Sequence, residues 1–404
     1  MSYTSAENDI AWRHWRREWS LPPDVIYLNH GSFGPAAREV QNVRHSWTDQ
    51  LESQPFDFFV RQMESELMHA AEYLGEFVGT SADNLAFVDN ATTGMNIVAK
   101  SLDLKPGDEV LTTNHAYGAV LRIWRTICKQ AGAKLIVHTL PDPLTDTTEL
   151  VDSLFTAVTE KTRLLVVDHI ASPTAVIFPV AEICNRAQKR GVPVCIDGPH
   201  ALAMLPLDLD TLGCDYYVAS GHKWLAAPFG SGFLYAHPRV QKQLEPLVIS
   251  WGGSLAGAEA RWQDEFHWPG TRDAAAQLTI PTAIDFLCRA GVCNFRRRSH
   301  DLAQYARFRI AEVTGLSCDL PDSPAWYGSM IALPLPAGDE PPLKKGVRDP
   351  LQGLLWKKHR IEVPVIHWHG RRMLRVSCHL YTTARDIDTL ANALRDSLYH
   401  RTGG

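Results

Sequence analysis

The chain has 404 residues, enough for two domains, and its 45% hydrophobic and 21% charged residues are the balance of a globular protein in water. A net charge of −5 leaves no electrostatic footprint for nucleic acid, and no apolar run reaches the length of a membrane span. The eight cysteines include no CxxC pair and residues 1–20 no apolar core of a signal peptide, so reduced thiols and a cytoplasmic protein are expected.

Residues 8–19, NDIAWRHWRREW, place tryptophans at 12, 15 and 19, a helical stripe that Asp9 could cap. Basic and aromatic side chains together suit a nucleic-acid or membrane surface, but the acidic whole favours a terminal helix laid on the body. Residues 1–20 are therefore expected as an N-terminal helical segment. Asn29 to Pro35 is a loop of small residues, and helices are predicted over about 35–53 and 58–78. Leu85 to Val88 reads as a strand. Asp89-Asn90-Ala91-Thr92-Thr93-Gly94 then opens a helix, an arrangement that either presents N–H groups to an anion or is an ordinary cap.

Strands near 109–113, 134–139, 163–168 and 193–197 alternate with helices near 118–131, 148–160 and 179–190. Such alternation predicts an α/β fold, a mostly parallel sheet between helices. Past Thr271 the pattern changes to helices near 275–290 and 296–314, strands near 328–334, 361–366 and 373–378, a Pro- and Gly-containing loop over 334–350 and a last helix over 385–399. This reads as a large domain, 21–275, and a smaller α+β domain, 276–404.

Two segments carry the chemistry. In VPVCIDGPHAL, Asp197 stands at the carboxyl end of a buried strand, the edge of an open α/β sheet where ligands bind. In DYYVASGHKWLAAPFGSGFLY, Lys223 lies 26 residues further on, in an irregular loop between two buried strands. A lysine there is either a surface residue on a turn or an amine for a carbonyl cofactor.

Together, Asp197-Gly-Pro-His200-Ala and Ser220-Gly-His222-Lys223 resemble the class V aminotransferase family of fold-type I pyridoxal phosphate enzymes. The opening Tyr27-Leu-Asn29-His30-Gly-Ser-Phe-Gly34 is most similar to its isopenicillin N epimerase branch. The resemblance spans about residues 21 to 395 and implies pyridoxal 5'-phosphate as cofactor and an amino acid as substrate. It implies Lys223 as the Schiff-base residue and proton carrier, Asp197 on the ring nitrogen, and His200 on the phenolic oxygen. Ser220, His222, Thr92 and Thr93 match phosphate contacts. Thr271 matches a phosphate contact supplied across a homodimer, so a monomer would lack part of the site. Tyr117 falls where relatives stack a ring on the cofactor, with His115 as the competing residue. Arg375 matches the fork for the substrate α-carboxylate, and Asn29 and His30 are expected at the substrate entrance. His367 and His369 would share one strand face as pocket lining, and without further ligands no metal is expected.

Two departures narrow the chemistry. The segment 363–370 lacks the nucleophilic cysteine of desulfurases, and Cys378 lies beyond Arg375 in a predicted strand. Where desulfurases have Ser-Asn, this chain has Ala171-Ser172. An epimerase or racemase acting at Cα is the expected activity. A C–S β-lyase is the alternative, and an aminotransferase the next.

Overall fold

Seven short runs pair into one sheet, the inner ones too apolar to leave either face in water. In spatial order they are Leu85–Val88, Gly232–Ala236, Tyr216–Ser220, Val194–Asp197, Thr162–Asp168, Glu109–Thr113 and Lys134–His138. All are parallel except Gly232–Ala236, which runs antiparallel to both neighbours. The inner strands are buried along nearly their whole length, and the edge strand Lys134–His138 is not. The helices Ala91–Ser101 and Gly118–Ala131 lay Met95, Val98, Val120 and Trp124 on this sheet and close the core.

The computed structural model describes residues 5–338 and 347–399. It divides the chain into a unit of Pro35–Ala171 and Phe178–Arg289, which holds the sheet, and a unit of Met1–Gly34, Ser172–Ile177 and Ala290–Gly404. By compactness the boundary falls after Arg289, beyond the expected 275, and residues 1–34 belong with the C-terminal part. In that second unit Met330–Pro334, Arg371–Ser377 and Val365–Trp368 form an antiparallel sheet with Arg371–Ser377 central. Helices Val292–Thr314 and Ala384–Tyr399 pack with each other, and Val292–Thr314 also lies on Met330–Pro334. Of the loop expected over 334–350, residues 339–346 lie outside those described.

The N-terminal stripe is a helix, Ser5–Trp12, continued as a tighter turn, Arg13–Glu18. Asp9 does not cap it. Its Oδ1 accepts from Arg298 Nη2 at 2.7 Å and its Oδ2 from the Ala384 N–H at 3.0 Å, the start of the last helix. Among the described residues no helix is long and apolar enough to cross a membrane.

Candidate active site

In the larger unit, parallel strands end together at one edge, and Asp197, His200 and Lys223 gather there. Asp197 closes the strand Val194–Asp197 and is buried. The turn after it depends on Gly198. A Cβ at that position would sit 2.1 Å from ring atoms of Tyr217. The Tyr217 hydroxyl is 2.9 Å from His169 Nδ1, which locks the ring across the turn. The Gly198 N–H is fixed on the Val218 carbonyl at 2.8 Å.

The lysine loop springs from the next strand, Tyr216–Ser220. Backbone bonds from Ala226 to Lys223 and from Ala227 to Gly221 close it tightly, and Ala226 is left in the left-handed region at φ 54°. A residue with a Cβ holds that conformation only when its surroundings enforce it. Lys223 Nζ lies 3.2 Å from His200 Nε2. Trp224 Nε1–H donates to His200 Nδ1 at 3.3 Å. An indole can only donate, so Nδ1 accepts and the proton of a neutral imidazole sits on Nε2, facing the amine.

Burial raises the Asp197 carboxyl to about 6, against the opposing charge of Lys223. His222 goes the other way. Burial, then Lys223, lowers it to about 4, so it is a neutral imidazole, and its buried Nδ1 has no hydrogen-bond partner among the described residues.

The helix Ala91–Ser101 begins beside this loop. Asn90 caps it by accepting the Thr93 N–H at 3.0 Å, and Ser220 Oγ accepts the Ala91 N–H at 2.9 Å. Gly232 makes the approach possible, since a Cβ there would lie 2.6 Å from Asn90 Cα. Thr92 is exposed and Thr93 half-buried at this helix start. Ser220 is thus fixed on the helix as well as adjacent to the lysine. Tyr117, half exposed, starts the helix Gly118–Ala131, whereas its competitor His115 is buried edge-on against Phe178. Thr271 is exposed, beside a cavity of about 520 Å³ that Phe56, Phe59, Trp251 and Trp268 also line.

In the smaller unit Arg375 sits mid-strand in Arg371–Ser377 and is buried. Its Nη1 donates to the Ser172 carbonyl at 2.6 Å and to Ser172 Oγ at 3.1 Å, and Nη2 donates to Ser32 Oγ at 2.6 Å. These oxygens orient the guanidinium. Ser172 stands where desulfurase relatives were expected to differ, and here it serves the arginine. Asn29 is buried, with Nδ2 on Glu362 at 3.3 Å.

Some expectations need correction. His30 does not line an entrance. It is fully buried, its Nδ1 2.8 Å from the Tyr381 hydroxyl and its ring stacked on His379 at 4.0 Å. His367 and His369 do not share a strand face, because the strand ends at Trp368 and His369 turns at φ 46°. His367 Nε2 binds Asp349 at 2.7 Å, a carboxylate that Arg372 also holds through two bonds. Among the described residues no group of three or more ligands could hold a metal. Cys378 is fully buried and burial pushes its thiol up, which suits no nucleophile. Sequence reasoning missed Ser32 and Ser172, and also Asp168, a second carboxyl at the same sheet edge.

The family model described as Aminotransferase class-V matches residues 57–390. Isopenicillin N epimerase of Streptomyces clavuligerus is 35% identical over 395 residues, 95% of this chain and 97% of that protein. A putative L-cysteine desulfhydrase of Oryza sativa subsp. japonica is 28% identical, over 92% of this chain and 82% of its own. Among solved structures, the cysteine desulfurase CsdA of Escherichia coli superposes with a TM-score of 0.77 at 22% identity, covering 96% of this chain and 98% of that one.

Proposed function

The chain belongs to the class V aminotransferase family and is a pyridoxal phosphate enzyme, and from that premise we propose that it inverts the Cα centre of an amino-acid-derived substrate. The observation that carries this reading is the 35% identity to an isopenicillin N epimerase along nearly the full length of both chains.

The side chains of the larger unit fit the cofactor. His222 Nδ1 is a buried polar atom without a partner among the described residues, and a neutral imidazole there suits a phosphate oxygen. With Ser220 and the Thr92–Thr93 helix start it would hold the phosphate. Lys223 would hold the aldehyde. His200 Nε2 lies 3.2 Å from the lysine nitrogen, close enough to orient the amine. Asp197 would meet the ring nitrogen, whose positive charge offsets a carboxylate that burial alone disfavours. When bound, pyridoxal phosphate supplies an electron sink for the bond broken at Cα.

The remaining work falls to the chain. Lys223 would take the Cα proton on one face, and Tyr117 would return a proton on the other. Arg375, pre-oriented by Ser32 and Ser172, would bind the α-carboxylate through its planar fork, and Asn29 would lie beside it.

Self-association would complete the site at Thr271. Ile249 and Trp251 are 89% and 86% exposed, and Phe56 and Val248 are exposed too, an apolar surface that a second copy would cover.

The second reading, a C–S β-lyase, is favoured by the similarity to a putative L-cysteine desulfhydrase. Incubation with L-amino acids and cysteine derivatives in D₂O separates the two. Inversion with deuterium at Cα supports the epimerase. Release of a thiol and a keto acid, with no inversion, would replace it with the lyase.

A further inference from the structure

The register of the sheet places Asp168 directly beside Asp197, each at the carboxyl end of its strand. Neighbouring strands run about 4.8 Å apart, and paired residues project to the same face. Two carboxyls therefore lie side by side, and both are buried. The Tyr117 backbone N–H reaches the Asp168 carboxyl. The other oxygen, Oδ2, is buried and has no hydrogen-bond partner among the described residues.

Two carboxylates at this spacing do not both ionise in a buried site. The groups around them decide which gives way. Burial and then the Asp197 charge push Asp168 well above the ordinary carboxyl range, with Lys223 opposing. Asp197 reaches only about 6. His169, bonded to Tyr217, is lowered by burial to about 4 and adds no charge. On the other side the chain leads to His115, which packs on Phe178.

We infer that Asp168 and Asp197 act as one pair with one proton, carried by Asp168, so that the single negative charge stands on Asp197. The inference rests on the reading that Asp197 serves the ring nitrogen. Asp168 is then a positioning residue in two ways. It keeps its neighbour anionic without adding a second charge, and it fixes the backbone from which the Tyr117 ring projects. A proton on Oδ2 also turns an acceptor without a donor into a donor, the role a neutral buried carboxyl fills.

Infrared spectroscopy of the protein carrying isotope-labelled aspartate tests this, with and without cofactor. The wild-type protein should show a protonated aspartic acid at neutral pH that disappears in Asp168→Asn and persists in Asp197→Asn. In the holoenzyme, the alkaline step of the visible spectrum that follows Asp168 ionisation should vanish in Asp168→Asn, because an amide cannot ionise. A purely structural Asp168 would leave that pH profile unmoved. Finding no protonated aspartate in the wild-type protein at neutral pH would overturn the inference even if the variant fails to fold. So would a band lost only in Asp197→Asn. If Lys223→Ala still forms a borohydride-reducible adduct with the cofactor, the assignment of Lys223 fails instead, and the infrared result without cofactor still decides the pair.

Discussion

Arg375 is the residue at which binding separates from chemistry. Arg375→Ala should raise KM about a hundredfold, the loss of a charge-assisted fork worth on the order of 3 kcal/mol, while the cofactor's visible band stays. Arg375→Lys should recover little, because an ammonium cannot reproduce the planar fork that Ser32 and Ser172 orient. Tyr117→Phe should keep Cα–deuterium exchange and lose inversion in an epimerase, whereas in a lyase elimination should fall only modestly. Chiral chromatography of the product beside mass spectrometry reads both. Lys223, Asp197 and His200 were legible in the sequence because each stands next to a strand end or a run of helix breakers. Ser32 and Ser172 were not, since they meet Arg375 across 343 and 203 residues of chain. His30 was misread because a histidine in a loop of small residues looks polar, yet aromatic neighbours far along the chain bury it.

At the scale of elements, two short connections carry the site, and each tolerates little change. Gly198→Ala should abolish cofactor binding, because its methyl group would overlap the Tyr217 ring that spans the turn. Absorbance titration with cofactor reads that loss. The sheet edge supplies a pH test. His267 Nε2 accepts the Phe87 N–H at 3.1 Å, covering the outer edge of Leu85–Val88. Burial lowers this histidine from 6.5 to about 4. A depressed group of this kind stabilises the fold fully above its unfolded value, and that stability is lost as pH falls toward the folded value. The window is therefore pH 6.5 to 4, and the loss from one such histidine reaches about 3 kcal/mol. His267→Gln keeps an acceptor for Phe87 and cannot titrate. Its Tm should decline less on acidification than that of the wild-type protein, with both followed by circular dichroism. The seven strands were legible from apolar runs of four to seven residues. Their pairing order was not, because nothing local in a buried strand names its neighbour.

For the whole molecule, sedimentation should give a dimer, and Trp251→Glu should shift it toward monomer, as a charge placed on the exposed apolar surface near Thr271 would. A fully active monomer would remove Thr271 from the site. Asp9→Ala should destabilise the smaller unit by about 3–5 kcal/mol, the cost of leaving one member of a buried ion pair alone. Thermal denaturation measures it. That bond also bears on the order in which the chain can fold as it is made. Asp9 and Arg298 are 289 residues apart, and Asp9 meets Ala384 across 375. The unit holding Asp9 also takes in Ser172–Ile177 and everything from Ala290 onward, while the sheet unit is finished at Arg289. During synthesis the sheet can therefore settle while the first 34 residues, with Trp19 among them, still wait for partners the ribosome has not yet released. A nascent chain halted soon after Arg289 should protect the sheet from protease and leave its own beginning open to cleavage, and chaperones would find their binding sites at the end of the polypeptide that was made first.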